Sequence, residues 1–139
     1  MEKTVYLDTG PLVALFHKRD QFHPWVKKVL SDHTFRFITC EAVLTETLFV
    51  SQNSPRAVAA IAGMMENNIL EIQSAITKDP TEVLDLMNKY HDQNTSLADV
   101  SLVTLYNNEQ APIFTTDSDF LVYRDSRGNA IDLISPYKS

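Results

Sequence analysis

The feature that most constrains the fold of this chain is the regular alternation of short apolar segments with longer helical patterns. Five segments are short and rich in β-branched and aromatic residues, as β-strands are. They span Thr4 to Leu7, Phe35 to Thr39, Ile69 to Gln73, Ile113 to Thr116 and Ile131 to Ile134. Strands that alternate with helices pair in parallel, because each helix carries the chain back across the sheet. The alternation therefore predicts an α/β fold with a central parallel sheet covered by helices.

The stretch DPTEVLDLMNKY shows the local signals that support the helical segments. Asp79 can cap the helix, Pro80 suits its first position, and Glu82 completes a capping box. The apolar residues of the stretch fall on one helical face, as expected for a helix packed on a sheet. They are Val83, Leu86, Met87 and Tyr90.

Length and composition predict a single domain spanning residues 1–139. The 139 residues are 44% hydrophobic, and a chain of this size can bury roughly two thirds of its unfolded surface. No apolar run approaches the ~20 residues of a membrane span, and the N-terminus resembles a strand rather than a signal peptide. Cys40 is the single cysteine, which excludes an intramolecular disulfide and is typical of a small buried apolar residue. We therefore expect a cytoplasmic protein without a membrane partner.

The formal net charge of -6 narrows the possible functions. Proteins that bind nucleic acid mainly through phosphate contacts are normally basic, so the charge argues against passive binding. It does not argue against a metal-dependent nuclease, in which carboxylates hold cations and the cations meet the phosphate. Six basic residues could form a local basic rim, or could be ordinary solvated surface. They are Lys18, Arg19, Lys27, Lys28, Arg124 and Arg127.

Acidic residues directly follow two of the predicted strands. Asp8 follows the first strand, and Asp117 and Asp119 follow the fourth in IFTTDSDF. The carboxyl ends of parallel strands are where open α/β sheets bind ligands. The alternative is that these acids cap the turns that follow, although capping needs only one of the last two. A calcium loop would require a glycine and a glutamate where Val122 and Gly128 stand.

Two further acids lie on predicted helices. Glu46 lies in an apolar stripe of EAVLTETLFV, where even a neutral polar group without a partner costs about 2 to 7 kcal/mol. Its neighbours one turn away are Ala42, Val43, Phe49 and Val50. A buried ion pair, or a position at the edge of the stripe, is the alternative. Asp99 follows Ser96 by three residues, as an acid in the first turn of a helix does, yet it also shares a face with Val103 and Tyr106.

The combination of four acids is more informative than any one of them. Two strand ends and two helix faces carry carboxylates at the edge where a parallel sheet opens its crevice. Such carboxylates repel one another strongly when no base is close. Divalent cations relieve the repulsion, and hard oxygen ligands favour Mg²⁺ or Mn²⁺. The four residues are Asp8, Glu46, Asp99 and Asp117.

Four stretches of the chain, in this order, resemble the PIN-domain ribonucleases, and especially the VapC-like toxins of prokaryotic toxin-antitoxin pairs. They are YLDTGPLVALF, TCEAVLTETLF, SLADVSLVTL and FTTDSDF, and together they span nearly the whole chain. The resemblance implies a three-layer α/β/α sandwich around a parallel sheet of about five strands. It assigns catalysis and metal binding to the quartet Asp8, Glu46, Asp99 and Asp117. It also implies auxiliary roles for Asp119, Thr116 and Thr9.

The activity implied by this resemblance is hydrolysis of phosphodiester bonds in single-stranded RNA, assisted by Mg²⁺ or Mn²⁺. Asp8 and Asp117 would be the primary metal ligands, with Glu46 and Asp99 completing the shell directly or through water. Members of the family commonly form homodimers and are inhibited by a small antitoxin protein. The resemblance therefore implies both a second copy of the chain and an antitoxin as partners.

Three other interpretations use the same residues. An aspartic protease would need a second Asp-Thr-Gly motif or a dimer of a strand-rich chain, but helical residues follow Asp8. A phosphotransferase with Asp8 as its nucleophile would need another aspartate where Gly10 stands. The third interpretation is a PIN-like fold without catalysis that serves as an RNA-binding or protein-interaction module. Metal binding would separate that module from a nuclease.

Overall fold

Five parallel strands form one sheet in the spatial order β3-β2-β1-β4-β5. The computed structural model describes residues 2–137. The strands are β1 (Glu2–Leu7), β2 (Thr34–Thr39), β3 (Leu70–Ile72), β4 (Ile113–Phe114) and β5 (Leu133–Ile134). All the predicted strands are present, but β3, β4 and β5 are shorter than predicted.

Helices connect the strands and cover both faces of the sheet. They are α1 (Thr9–Phe16), α2 (His23–Asp32), α3 (Glu41–Val50), α4 (Pro55–Glu66), α5 (Ala75–Lys78), α6 (Pro80–Lys89) and α7 (Leu97–Asn108). A short 3-10 helix, Ser118–Leu121, follows β4. Within residues 2–137, no helix is long and apolar enough to cross a membrane.

Alternate strand residues point to opposite faces and build two separate cores. On one face, Tyr6 and Ile113 pack in a buried cluster with residues of α5, α6 and α7. On the other face, Val5 and Phe37 pack with residues of α1, α2 and α4. Helices thus form an outer layer on each side of the sheet, which confirms the predicted α/β/α architecture. Cys40, at the start of α3, is buried, as predicted.

The start of α6 confirms part of the predicted capping pattern and corrects another part. The Asp79 side chain accepts a hydrogen bond from the backbone N–H of Glu82 at 3.2 Å, as expected for the cap. The predicted capping box is wrong, because the N–H of Asp79 donates to the carbonyl of Ala75 at 2.8 Å. Asp79 also ends α5, so its N–H is already paired, and Glu82 accepts instead from the side chain of Asn107 at 2.8 Å.

The order of the strands creates a crevice beside β1. From β1 the chain adds β2 and β3 on one side, and later β4 and β5 on the other. The carboxyl ends of β1 and β4 therefore flank the point where the strand order reverses, which is where open α/β sheets bind ligands. Asp8 follows β1 at this point, and residues 115–117 follow β4.

Candidate active site

A cleft of about 470 Å³ opens at the switch point between β1 and β4. Four carboxylates, each from a different segment of the chain, line it. They are Asp8 after β1, Glu46 on α3, Asp99 on α7 and Asp117 after β4. The other lining residues are Thr9, Gly10, Gln21, Phe22, Thr116, Ser118 and Tyr137. The structure therefore brings the predicted quartet into one cleft, together with two of the predicted auxiliary residues, Thr9 and Thr116.

Thr115 contacts one of the four carboxylates and the backbone of the residue that carries another. Its hydroxyl donates a hydrogen bond of 2.7 Å to Oδ2 of Asp8 and accepts one of 3.0 Å from the backbone N–H of Asp117. The N–H of Asp8 also donates to the carbonyl of Phe114 at 3.0 Å, which continues the pairing of β1 with β4. Thr116 was predicted from the sequence, and Thr115 was not. The strand period was the available signal, because Thr115 is fully buried on the same side of the chain as Ile113.

Tyr123 positions the third carboxylate and was also missed. Its hydroxyl donates a hydrogen bond of 2.8 Å to Oδ2 of Asp99 and lies 3.0 Å from the hydroxyl of Thr95. Edge-to-face contacts with Tyr90 and Phe120 fix its ring, with centroids 4.9 and 5.1 Å away. Tyr123 is fully buried, so Asp99 receives its hydrogen bond from a side chain with little freedom to move.

Asp99 serves the start of α7 and lines the cleft at the same time. The Ser96 hydroxyl accepts a hydrogen bond from the backbone N–H of Asp99 at 3.1 Å, which confirms the predicted cap. The Asp99 side chain is 6% exposed, and Val103 and Tyr106 are buried on the same helix. Asp99 therefore lies in the capped first turn of α7 and also lines the cleft.

Glu46 lies at the edge of a buried face rather than inside an apolar stripe. The hydroxyl of Thr9 donates a hydrogen bond of 2.9 Å to Oε1 of Glu46, which is half-buried. The predicted stripe is wrong at its far end, since Phe49 is 82% exposed and Val50 is 57% exposed. The buried face of α3 contains Val43 and the polar Thr47, whose hydroxyl bonds within the helix. A pattern of apolar residues alone could not place that face correctly.

Asp117 and Asp119 occupy different positions relative to the cleft. Oδ1 of Asp117 accepts a hydrogen bond of 2.8 Å from the backbone N–H of Asp119, so Asp117 caps the 3-10 helix as expected for one of the pair. Asp119 is not among the described residues that line the cleft. Burial, and then the charge of Asp117, raise the pKa of Asp119. An auxiliary role for Asp119 stays a prediction.

Gly10, in the first turn of α1, allows the Thr116 hydroxyl to approach the helix closely. A Cβ atom at position 10 would lie 2.0 Å from Oγ1 of Thr116, far inside contact distance. Both residues line the cleft. Any side chain at position 10 would therefore displace Thr116 from its place beside the carboxylates.

Burial and mutual repulsion raise the pKa values of two of the carboxyl groups. Burial is the largest cause for Asp8, and together with the charge of Asp99 it raises the pKa to about 7 against the lowering effect of the Thr115 hydrogen bond. Burial is also the largest cause for Asp99 and raises its pKa to about 6, with the charges of Asp117 and Glu46 contributing, although the Tyr123 hydrogen bond lowers it. The cleft therefore resists the accumulation of negative charge near neutral pH.

The donor set suits a divalent cation that keeps part of its water shell. The ion pairs among the described residues, Lys28 with Asp32 and Arg36 with Glu71, do not involve the cleft carboxylates. Residues 2–137 contain no three carboxylate, imidazole or thiolate groups that converge closely enough to hold a metal as they stand. The four carboxylates thus line the cleft but do not form a preformed metal site. Mg²⁺ usually contacts one or two carboxylates directly and keeps several waters, which fits this arrangement.

The six basic residues considered from the sequence are not among the described residues that line the cleft. Among the described residues that line it, none is Lys or Arg. Lys28 pairs with Asp32 at 3.5 Å, and the Arg124 guanidinium donates to the carbonyls of Leu121 and Tyr123. These two residues act as ordinary surface.

Comparisons with known proteins agree with this architecture. VapC20 of Mycobacterium tuberculosis, a toxin that cleaves the sarcin-ricin loop, superposes with a TM-score of 0.72 at 16% identity, over 83% of this chain and 91% of its own. A chain of the VapBC2 complex of Rickettsia felis, bound to a DNA fragment from its promoter, gives a TM-score of 0.58 at 16% identity, over 95% and 98%. None of the curated protein sequences matches significantly. The family model of the PIN domain matches residues 5–125, a span that includes the four cleft carboxylates, and the chain therefore belongs to the PIN-domain family.

Proposed function

We propose that this protein is a divalent-metal-dependent endoribonuclease that hydrolyses phosphodiester bonds of single-stranded RNA. The observation that carries the proposal is that four carboxylates line one cleft with no basic side chain among its described lining residues. A cleft of this charge would repel a phosphate unless cations lay between them. Membership of the PIN-domain family and the fold shared with a toxin that cleaves the sarcin-ricin loop support the same activity.

Each carboxylate has a distinct part in this proposal. Asp8 and Asp117 would be the primary ligands of Mg²⁺ or Mn²⁺, and Glu46 and Asp99 would complete the shell directly or through water. The bound metal would supply a water of lowered pKa and neutralise charge on the phosphate. Thr115 holds Asp8 and the backbone at Asp117 in register with each other.

The raised pKa of Asp8, about 7, should make the affinity for the metal depend on pH. Without a cation, this carboxyl group would keep its proton over part of the neutral range. A metal ligand must be deprotonated, so metal binding would release that proton. Affinity for the metal should therefore fall as the pH drops below neutral.

We also propose that the nuclease acts as the toxin of a toxin-antitoxin pair. Its partners would be the RNA substrate, a small antitoxin protein and a second copy of the chain, in the cytoplasm. The fold shared with a chain of the VapBC2 complex supports the antitoxin partner. Growth of a bacterial host after induction tests the toxin role: the wild-type chain should arrest growth, and Asp8→Asn should not.

Cleavage of a labelled single-stranded RNA mixture by the purified protein tests the activity. We expect cleavage with Mg²⁺ or Mn²⁺, none with a chelator, and none by Asp8→Asn. Asp85→Asn is the matched control, because Asp85 is an exposed acid on α6 outside the cleft. It should cleave as the wild type does.

A non-catalytic PIN module is the second candidate. The lack of three converging metal ligands within residues 2–137 favours it more than any other observation does. If the wild type shows no metal-dependent cleavage and Mn²⁺ does not raise its melting temperature, the nuclease proposal fails and this candidate takes its place.

A further inference from the structure

The cleft is lined by two chemically different groups of side chains. One is the four carboxylates, and the other is an aromatic pair, Phe22 and Tyr137, with Gln21 next to Phe22 in the sequence. Phe22 and Gln21 lie on the turn before α2, and Tyr137 lies after β5. The catalytic chemistry proposed above uses none of these three residues.

The two rings are in contact and their backbones are anchored. Their centroids lie 6.2 Å apart at an interplanar angle of 75°, an edge-to-face contact. The N–H of Phe22 donates to Oδ1 of Asp20 at 2.8 Å, and the N–H of Tyr137 donates to the hydroxyl of Ser135 at 3.1 Å. Phe22 packs on the core cluster beneath it, so it supports Tyr137 from a fixed position.

Tyr137 exposes an aromatic ring at the cleft, which needs a physical reason. Its side chain is 49% exposed, and the other aromatic residue among the exposed large apolar side chains described is Phe49, on α3. Phe49 does not line the cleft, whereas Tyr137 does. An exposed aromatic group beside a functional cleft is typical of a ligand contact.

The charge of the cleft indicates which part of an RNA chain this ring contacts. Proteins hold single-stranded RNA through cations on the phosphates and through aromatic rings that stack on bases. The described lining of this cleft contains no Lys or Arg. The aromatic pair is therefore the group in the lining best suited to bind the uncharged part of a nucleotide.

We propose that Tyr137, supported by Phe22, is a stacking platform for a base of single-stranded RNA next to the carboxylates. The substrate class rests on the proposed function, and the platform adds the residues that hold the nucleotide in register with the carboxylates. Gln21 lies beside the platform, where its amide can hydrogen-bond to a base edge.

Binding of a short single-stranded RNA that carries the fluorescent base 2-aminopurine tests the platform. All variants are made in the Asp8→Asn protein with Mg²⁺ present, so the measurement does not depend on cleavage. We expect stacking to quench the fluorescence on binding to the parent and to Tyr137→Phe. Tyr137→Leu should bind roughly five- to a hundredfold more weakly, with the quench lost.

The control variant is Phe49→Leu, which removes the exposed aromatic ring that lies outside the cleft. It should bind and quench as the parent does. Equal affinity and equal quenching by Tyr137→Leu would overturn the platform, and so would a parent that binds RNA without quenching or does not bind it. Failure of the nuclease proposal is read separately, from wild-type protein that does not cleave RNA with metal.

Discussion

Helices α6 and α7 both begin with a capping side chain followed three residues later by an acid. Asp79 caps α6 ahead of Glu82, and Ser96 caps α7 ahead of Asp99. Each acid also accepts a side-chain hydrogen bond of 2.8 Å, Glu82 from Asn107 and Asp99 from Tyr123. Burial raises the pKa of both groups.

The two acids differ in what surrounds them. Asp99 lines the cleft with three other carboxylates, whereas Glu82 does not, and its hydrogen bond joins α6 to α7. The start of α7 lies near the ends of β1 and β4, and the start of α6 does not bring its acid there. Local helix chemistry therefore cannot tell an acid that lines the cleft from one that does not, and the strand order does.

The largest effect should come from removing the charge of Asp99. Asp99→Asn should lower RNA cleavage with Mn²⁺ by on the order of a thousandfold, because a neutral amide is a poor substitute for a metal-binding carboxylate. Glu82→Gln keeps an oxygen that can accept from Asn107, so it should cleave as the wild type does. Initial rates measured on one labelled RNA test both variants. Similar losses in the two would remove the distinction between these acids.

The second-largest difference between the two acids should lie in how they make stability depend on pH. Burial raises the pKa of Asp99 to about 6 in the folded protein, against 3.8 for an unperturbed aspartate, so the folded state binds the proton more tightly. Stability of chelator-treated protein should therefore fall as the pH rises from about 4 to 6 and then level off, by on the order of 3 kcal/mol for this group. Asp8, with a pKa of about 7, extends the fall toward neutral pH.

Denaturant unfolding of the chelator-treated protein at several pH values measures this effect. Asp99→Asn should flatten the fall in the free energy of unfolding between pH 4 and 6. Glu82→Gln should flatten it less, because Glu82 is only half-buried. A steeper fall for Asp99→Asn than for the wild type would contradict the assigned cause.

Removing the hydrogen-bond partner of each acid should produce a smaller difference in the rate of cleavage. Tyr123→Phe removes the hydroxyl that orients Asp99 and should lower cleavage by about 10- to 100-fold, as loss of a partner of a metal ligand does. Asn107→Ala removes the partner of Glu82 and should lower stability but leave the cleavage rate unchanged. Rates and melting temperatures of both variants provide the test. A slower reaction in Asn107→Ala, with Tyr123→Phe unaffected, would reverse the assignment.

The outline of the fold and two of the four cleft carboxylates could be predicted from the sequence because they follow from short-range patterns. Strand and helix periods gave the parallel sheet, and acids after strands gave Asp8 and Asp117. The strand period indicates that Thr115 is buried, but nothing local to Asp8 indicates that its hydrogen-bond partner lies 107 residues away. The exposed Phe49 was mispredicted for a related reason, because the buried face of α3 depends on the elements against which it packs.

The smallest contrast concerns the two caps. Ser96→Ala and Asp79→Ala each remove an acceptor for a backbone N–H in the first turn, so each should lower the free energy of unfolding by about 1 kcal/mol. Only Ser96→Ala should also slow RNA cleavage, by a few-fold, because the N–H that loses its partner belongs to Asp99. Ser96→Thr keeps a hydroxyl at this position and should restore the rate. If both alanine variants cleave at the wild-type rate, the cap of α7 contributes only to stability and Tyr123 alone orients Asp99.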